Sequence, residues 1–329
     1  MNQPAHPEKD LYPSIQKLME SRDYEVICEF KTFSPLTGRT RKLDLLGFRW
    51  RADGDLDAWA VEGKRGASPA DTLTALGQAI EYQLYVPRVS VAAEVPREEL
   101  AFAENPLRQL GLGYIHATTT LTPATEVITP ALSPRCYQNE FNQVVRHAGV
   151  LCLLGRERWK EEERGEHYSD GDISPETARY PLYCIHNTEP VQYMLTATGK
   201  SKKVQLGIWI DRKPIWKHIY RQIEPDRFTE FLANLNATTA IQIFKRDNFG
   251  RLGDCLEQRL LLPDRTAIAN GLDYARKRLE GDRMVPVISV ALELWAWEAM
   301  PRCAEAKKAV EETIARLEPT RAYLAAMSK

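Results

Sequence analysis

Lys42-Leu43-Asp44-Leu45-Leu46-Gly47-Phe48 and Asp57-Ala58-Trp59-Ala60-Val61-Glu62-Gly63-Lys64 decide the fold. Each is an apolar run of strand length bounded by turn residues. Ser34-Pro35-Leu36-Thr37-Gly38 precedes the first, and Ala52-Asp53-Gly54-Asp55 separates the two. Upstream, Tyr24-Glu25-Val26-Ile27-Cys28-Glu29-Phe30 alternates like a half-buried strand, so the three runs read as an antiparallel meander. Leu11, Ile15, Leu18 and Met19 recur at helical spacing and predict an amphipathic helix over 9–21, with Pro13 in its first turn. Leu73, Leu76, Ala79, Ile80 and Leu84 predict a second helix over 70–85, which Pro87 ends. An interior strand at Val89–Ala93, a helix near 96–110 and strands at 112–118 and 126–129 complete an α/β sandwich.

Thr and Pro crowd the segment between Thr118 and Pro134, which sets a domain boundary near residue 135. Residues 136–329 read as a second, α+β domain. Its helices fall at 137–154, 225–235, 265–280 and 298–327, and its strands at 180–186, 191–198, 204–210 and 285–292. Arg156–Gly171 has almost nothing apolar to bury and reads as a charged, mobile surface stretch. Residues 1–135 carry 15 Lys/Arg against 18 Asp/Glu and the remainder 29 against 27, so neither half grips a polyanion by bulk charge. No apolar run approaches the ~18 residues of a membrane span, the N-terminus has no secretory pattern, and the six cysteines form no C-x-x-C pair. A cytoplasmic protein without a disulfide framework or zinc site is expected.

The chemistry concentrates at Asp44, Glu62 and Lys64. Side chains at i and i+2 of a strand share a face, so Glu62 and Lys64 emerge together while Gly63 points away and leaves its carbonyl open. Pairing of the two decisive strands brings Asp44 toward Glu62. Two neighbouring carboxylates repel, burial worsens the conflict, and a divalent cation removes it. Hard oxygen ligands suit Mg²⁺ or Mn²⁺. A lysine beside them holds a water nucleophile or offsets phosphoryl charge, a combination made for metal-assisted phosphodiester hydrolysis. The bland alternative is a surface ion pair, but an acid between Leu43 and Leu45 in a central strand needs a partner or an ion.

Over residues 8–130 the chain resembles the PD-(D/E)XK nuclease superfamily, the restriction-endonuclease-like fold with its αβββαβ core. An acid on the second strand (Asp44) and acid-x-Lys on the third (Glu62-Gly63-Lys64) match its pattern, with Leu43 where the family name has proline. The resemblance implies that Asp44, Glu62 and the carbonyl of Gly63 ligate metal and that Lys64 orients the attacking water. Glu8-Lys9-Asp10-Leu11-Tyr12-Pro13 is similar to the E-x-D-L-Y-x-P opening of some bacterial branches, which implies Glu8 as a further metal-shell carboxylate. Gln78 and Tyr82 reproduce the Q-x-x-x-Y spacing of the RecB-like branch, one helix face presenting both to the site.

The expectation is therefore a Mg²⁺- or Mn²⁺-dependent deoxyribonuclease, in a restriction or phage-defence setting, with DNA as partner and RNA not excluded. Its rival is a catalytically silent nuclease-fold DNA-binding or regulatory protein. Arg39, Arg41, Lys42 and Arg65 flank the site as phosphate contacts or as counterions of Asp53, Asp55 and Asp57. In the second half, Lys200–Lys203, Arg212, Lys213, Lys217 and Arg221, interleaved with Trp209, Trp216, His218 and Tyr220, suit nucleic-acid contact unless the aromatics are core. The stretch after Ile241–Phe244, Lys245 to Arg251, reads as a second candidate loop. For residues 136–329 recognition, regulation and a homodimer contact stay open.

Overall fold

Leu11, Ile15, Leu18 and Met19 form the buried stripe of a helix in the computed structural model of the chain. The structure describes residues 8–33, 40–64, 69–95, 103–120, 122–133, 140–167, 182–186, 191–198, 202–210, 213–235, 237–246, 252–279 and 284–328. A 3₁₀ turn at Glu8–Leu11 leads into α1 (Tyr12–Glu20), where Pro13 occupies the first turn and withdraws no helical hydrogen bond. The meander follows as β1 (Glu25–Phe33), β2 (Thr40–Trp50) and β3 (Leu56–Lys64), each antiparallel to the next. The turn between β2 and β3 holds Gly54 at φ 84°, a conformation that costs a residue with a Cβ.

Helix α2 (Pro69–Tyr82) carries the chain back so that β4 (Arg88–Ala93) lies parallel to β3. After α3 (Glu104–Gln109), β5 (Gly113–His116) pairs parallel to β4, and β6 (Thr125–Ile128) closes antiparallel to β5. The result is a mixed six-stranded sheet whose spatial order is its chain order. Parallel strands are covered on both faces, and Val89, Val91, Ala92 and Ala93 of β4 are all buried. On one face, Leu11, Ile15 and Met19 pack with Leu45, Trp59 and Val61.

The next helix, α4 (Glu140–Arg158), moves the boundary. Gly149 lies so close to the ring of Phe48 that a Cβ there would overlap it, and Asn142 donates to the carbonyl of Tyr85 at 2.6 Å. The chain accordingly divides after Leu153, not at residue 135, and the second unit comprises Leu154–His167 and Tyr183–Lys329. Composition marked the Pro-rich connection but carried no sign that the following helix packs backward.

The second unit contains β7 (Arg164–His167), β8 (Leu182–His186), β9 (Val191–Thr198), β10 (Lys203–Ile210), α5 (Lys213–Gln222), α6 (Pro225–Leu235), β11 (Thr238–Arg246), β12 (Leu252–Leu261), α7 (Arg265–Leu279), β13 (Met284–Ala296) and α8 (Cys303–Ala326). Its seven strands are ordered β12-β11-β13-β10-β9-β8-β7, and α8 packs on β9, β10 and β13. Two expectations change, and one element was not anticipated. Arg164–His167, expected as mobile surface, is strand because its backbone pairs with His186–Tyr183 of β8. Lys245 and Arg246 lie in β11 and not in a loop, since pairing with β13 continues through Lys245↔Met284; residues 247–251 lie outside the described residues. Residues 213–222, where no element is expected, form a helix, and Ile215, Trp216, Ile219 and Tyr220 recur there at helical spacing. The protein is thus mixed α/β with two sheets, and among the described residues no helix is long and apolar enough to cross a membrane.

Candidate active site

The sheet delivers its acids where β2 and β3 part. Backbone pairing stops at Leu45↔Val61, and the next step would set Asp44 against Glu62. Instead the amide of Gly63 donates to Asp44 Oδ2 at 2.9 Å, so the carboxylate takes the place of a ladder acceptor. Tyr12 of α1 bonds Asp44 from the side. Burial, followed by the charge of Asp44, drives the Tyr12 hydroxyl well above the usual tyrosine range, so it stays protonated and remains a donor.

Glu62 alternates with Val61 and leaves by the opposite face of the sheet. It is 1% exposed. Tyr82, at the end of α2, lies between Glu62 Oε2 at 2.5 Å and the carbonyl of Lys42 at 2.8 Å, two acceptors that share its single hydroxyl proton. Burial foremost, then Glu62, keeps that hydroxyl un-ionised. Lys64 Nζ stands 2.9 Å from Glu62 Oε1 and 3.1 and 3.2 Å from the two oxygens of Glu8. Burial disfavours the Lys64 ammonium, but Glu62 and then Glu8 outweigh it and hold its pKa above the ordinary lysine value.

The two acids conflict as their proximity requires. Burial first, and the charge of Asp44 second, push Glu62 up to about 7, while Tyr82 and Lys64 pull the other way without cancelling them. Glu62 Oε1 is buried with the Lys64 ammonium 2.9 Å away, and this ion pair favours the charged carboxylate. A buried carboxylate beside a second carboxylate is a hard-oxygen set that fits a small divalent cation. Among the described residues, however, no group of three or more His, Cys, Asp or Glu side chains is close enough to hold a metal. Glu8 thus enters the site through Lys64. A Cβ at Gly63 would meet Tyr12 Cε1 at 3.6 Å and Asp44 Oδ2 at 3.7 Å, ordinary contacts, so packing alone does not require glycine there.

The other expected residues divide. Gln78 is half-buried one turn before Tyr82, and none of the hydrogen bonds among the described residues joins it to Asp44, Glu62 or Lys64. Arg41 is engaged by Glu81, with its Nε 2.9 Å from Oε2, and Lys42 by Glu29 at 2.7 Å. Arg39 and Arg65 lie outside the described residues. Asp57, expected as a counterion of these cations, is buried at the far end of β3 among Tyr24 at 2.8 Å, Arg88 at 3.1 Å and Arg49 at 3.2 Å. In the second unit Trp209 and Tyr220 are buried as core, while Lys202 and Lys203 pair with Glu298 and Glu293 at 3.7 and 3.4 Å. Lys200 and Arg212 lie outside the described residues.

Sequence reasoning passed over Tyr12 as a functional side chain. Its signal was its place in Glu8-Lys9-Asp10-Leu11-Tyr12-Pro13, the stretch from which Glu8 alone was singled out. Compared with protein-family models, curated proteins and solved structures, the chain matches none.

Proposed function

We propose that the first unit is a divalent-metal-dependent nuclease that hydrolyses phosphodiester bonds in DNA. The observation that carries this reading is the meeting of Asp44, Glu62 and Lys64 where β2 and β3 part, with Glu62 pushed up to about 7 by burial and by Asp44. The order helix, three antiparallel strands, helix, parallel strand is also that expected of a restriction-endonuclease-like core, and supports the resemblance.

Asp44, Glu62 and the carbonyl of Gly63 would hold Mg²⁺ or Mn²⁺. When bound, the ion supplies Lewis-acid polarisation of a phosphoryl oxygen and a bound water of lowered pKa. The chain's own groups do the positioning. Tyr12 and the Gly63 amide fix Asp44, Tyr82 fixes Glu62, and Glu8 holds Lys64. The Lys64 ammonium, charged at neutral pH, is placed to meet negative charge developing on phosphorus oxygens.

One observation favours a second reading, a nuclease-fold protein that binds DNA without turnover: the ammonium of Lys64 is already held between Glu62 and Glu8. Incubating the full chain with supercoiled plasmid, linear duplex and single-stranded DNA in Mg²⁺, Mn²⁺ or EDTA separates them. Metal-dependent cleavage that Lys64→Ala lowers by about 10²–10³ supports hydrolysis. Wild-type cleavage by that variant, or binding without cleavage in every metal, rejects it.

A further inference from the structure

Strand β1 carries an irregularity that hydrolysis does not use. Its pairing with β2 keeps one register from Glu25↔Phe48 to Phe33↔Thr40, but omits the step between Cys28↔Leu45 and Phe30↔Leu43. That step sets Glu29 opposite Asp44. Glu29 has φ 57°, the left-handed region that a residue with a Cβ occupies at a cost. Such outliers persist where the surroundings hold them, and they gather at binding and catalytic sites. Its carboxylate is met by two lysines. Lys9 Nζ and Lys42 Nζ approach the same oxygen, Glu29 Oε1, at 2.8 and 2.7 Å.

Both lysines belong to elements that build the site. Lys9 follows Glu8, the partner of Lys64, and Lys42 lies two residues before Asp44 and offers its carbonyl to Tyr82. The trio therefore lies on the rim of the candidate site and carries one net positive charge. Its side chains are largely accessible, 61% for Lys9 and 43% for Lys42. Ion pairs this exposed contribute little stability, so either ammonium can change anions at small cost. A phosphate oxygen offers the charge and the acceptor that the Glu29 carboxylate now supplies.

We propose, on the nuclease reading, that Lys9 and Lys42 form a backbone-phosphate subsite beside the scissile position. Glu29 is the internal anion that gathers the two ammonium groups and releases them when the DNA strand arrives. Its strained backbone serves to aim one carboxylate oxygen at both.

The test is equilibrium binding of a fluorescent DNA duplex to the full chain in EDTA, across a salt series, by anisotropy. Glu29→Gln removes the competing anion, and binding at low salt tightens by about 3- to 10-fold, as expected when ammonium groups become available to phosphate. Lys9→Ala with Lys42→Ala weakens binding and makes the log K against log salt slope shallower by about 2, roughly 0.9 per lost phosphate contact. Lys9→Ala alone, at an exposed position, changes the slope by about half as much and leaves folding unaffected. An unchanged slope in the lysine variants, or weaker binding by Glu29→Gln, overturns the subsite. If wild type cleaves DNA while those slopes stay unchanged, only the subsite falls. If wild type neither binds nor cleaves DNA, the nuclease reading falls with it.

Discussion

The amide of Gly63 bonds Asp44 Oδ2 at 2.9 Å at the step where backbone pairing between β2 and β3 has ended. Asp44 therefore has two tasks, an acceptor that closes the strand end and a charge that raises Glu62, and substitution can separate them. Asp44→Asn keeps an acceptor, so folding stability changes little, while the pKa of Glu62 falls from about 7 because the repelling charge is gone. Asp44→Ala also removes the acceptor and costs about 1–3 kcal/mol by leaving an amide unsatisfied. Urea denaturation and a ¹³C carboxyl titration read the two effects, and both variants lose metal-dependent cleavage.

Glu62 should make the metal-free protein less stable as pH rises. Its folded pKa is raised above the ordinary glutamate value to about 7, so its contribution is fully present below about 4.5 and is lost as pH climbs through 7. The loss is about 3 kcal/mol for a shift of this size. Glu62→Gln lacks this component. Chemical denaturation in EDTA at pH 5 and pH 8 should show the variant gaining on wild type at the higher pH, though it cleaves nothing.

Tyr82→Phe removes the one hydroxyl proton that Glu62 and the Lys42 carbonyl share. Hydrogen bonds to charged groups set its cost at about 1–3 kcal/mol. Since Tyr82 works to lower the Glu62 pKa, the acid limb of the cleavage pH profile moves to higher pH in the variant. A profile that keeps its midpoint would mean that the hydroxyl serves packing alone.

Gly149→Ala tests the assignment of α4 to the first unit. The new methyl would press into the ring of Phe48, a residue with no exposed surface. Overpacking of this kind costs about 1–3 kcal/mol. Thermal unfolding should show the loss, and Leu132→Ala, on a side chain 55% exposed, serves as the neutral control.

Much of the first unit was legible because its signals are local. Apolar runs bounded by turns place β1 to β3, and a 3.6-residue period places α1 and α2. Asp44 stood out as an acid between leucines, and Glu62 and Lys64 as charges at the end of an apolar strand. What escaped depends on partners distant in sequence. Glu29 reads as an ordinary outward residue until its register sets it opposite Asp44, and nothing in the sequence joins Lys9 to Lys42 until the carboxylate they share is seen. The strand at Thr238–Arg246 ends in Lys245-Arg246, charges that suggest a loop and that only pairing with β13 overrides. Likewise, α4 shows a helical period but not the sheet it packs on.

The alternation that sends Val61 toward Leu11 and Ile15 and Glu62 toward Tyr82 has a consequence for biosynthesis. A slip of β3 by a single residue exchanges its two faces, burying an anion in oil and wetting a valine. A misthreaded copy would thus be unstable before it could be inactive. The pleat ties the side on which Glu62 emerges to the stability of the fold.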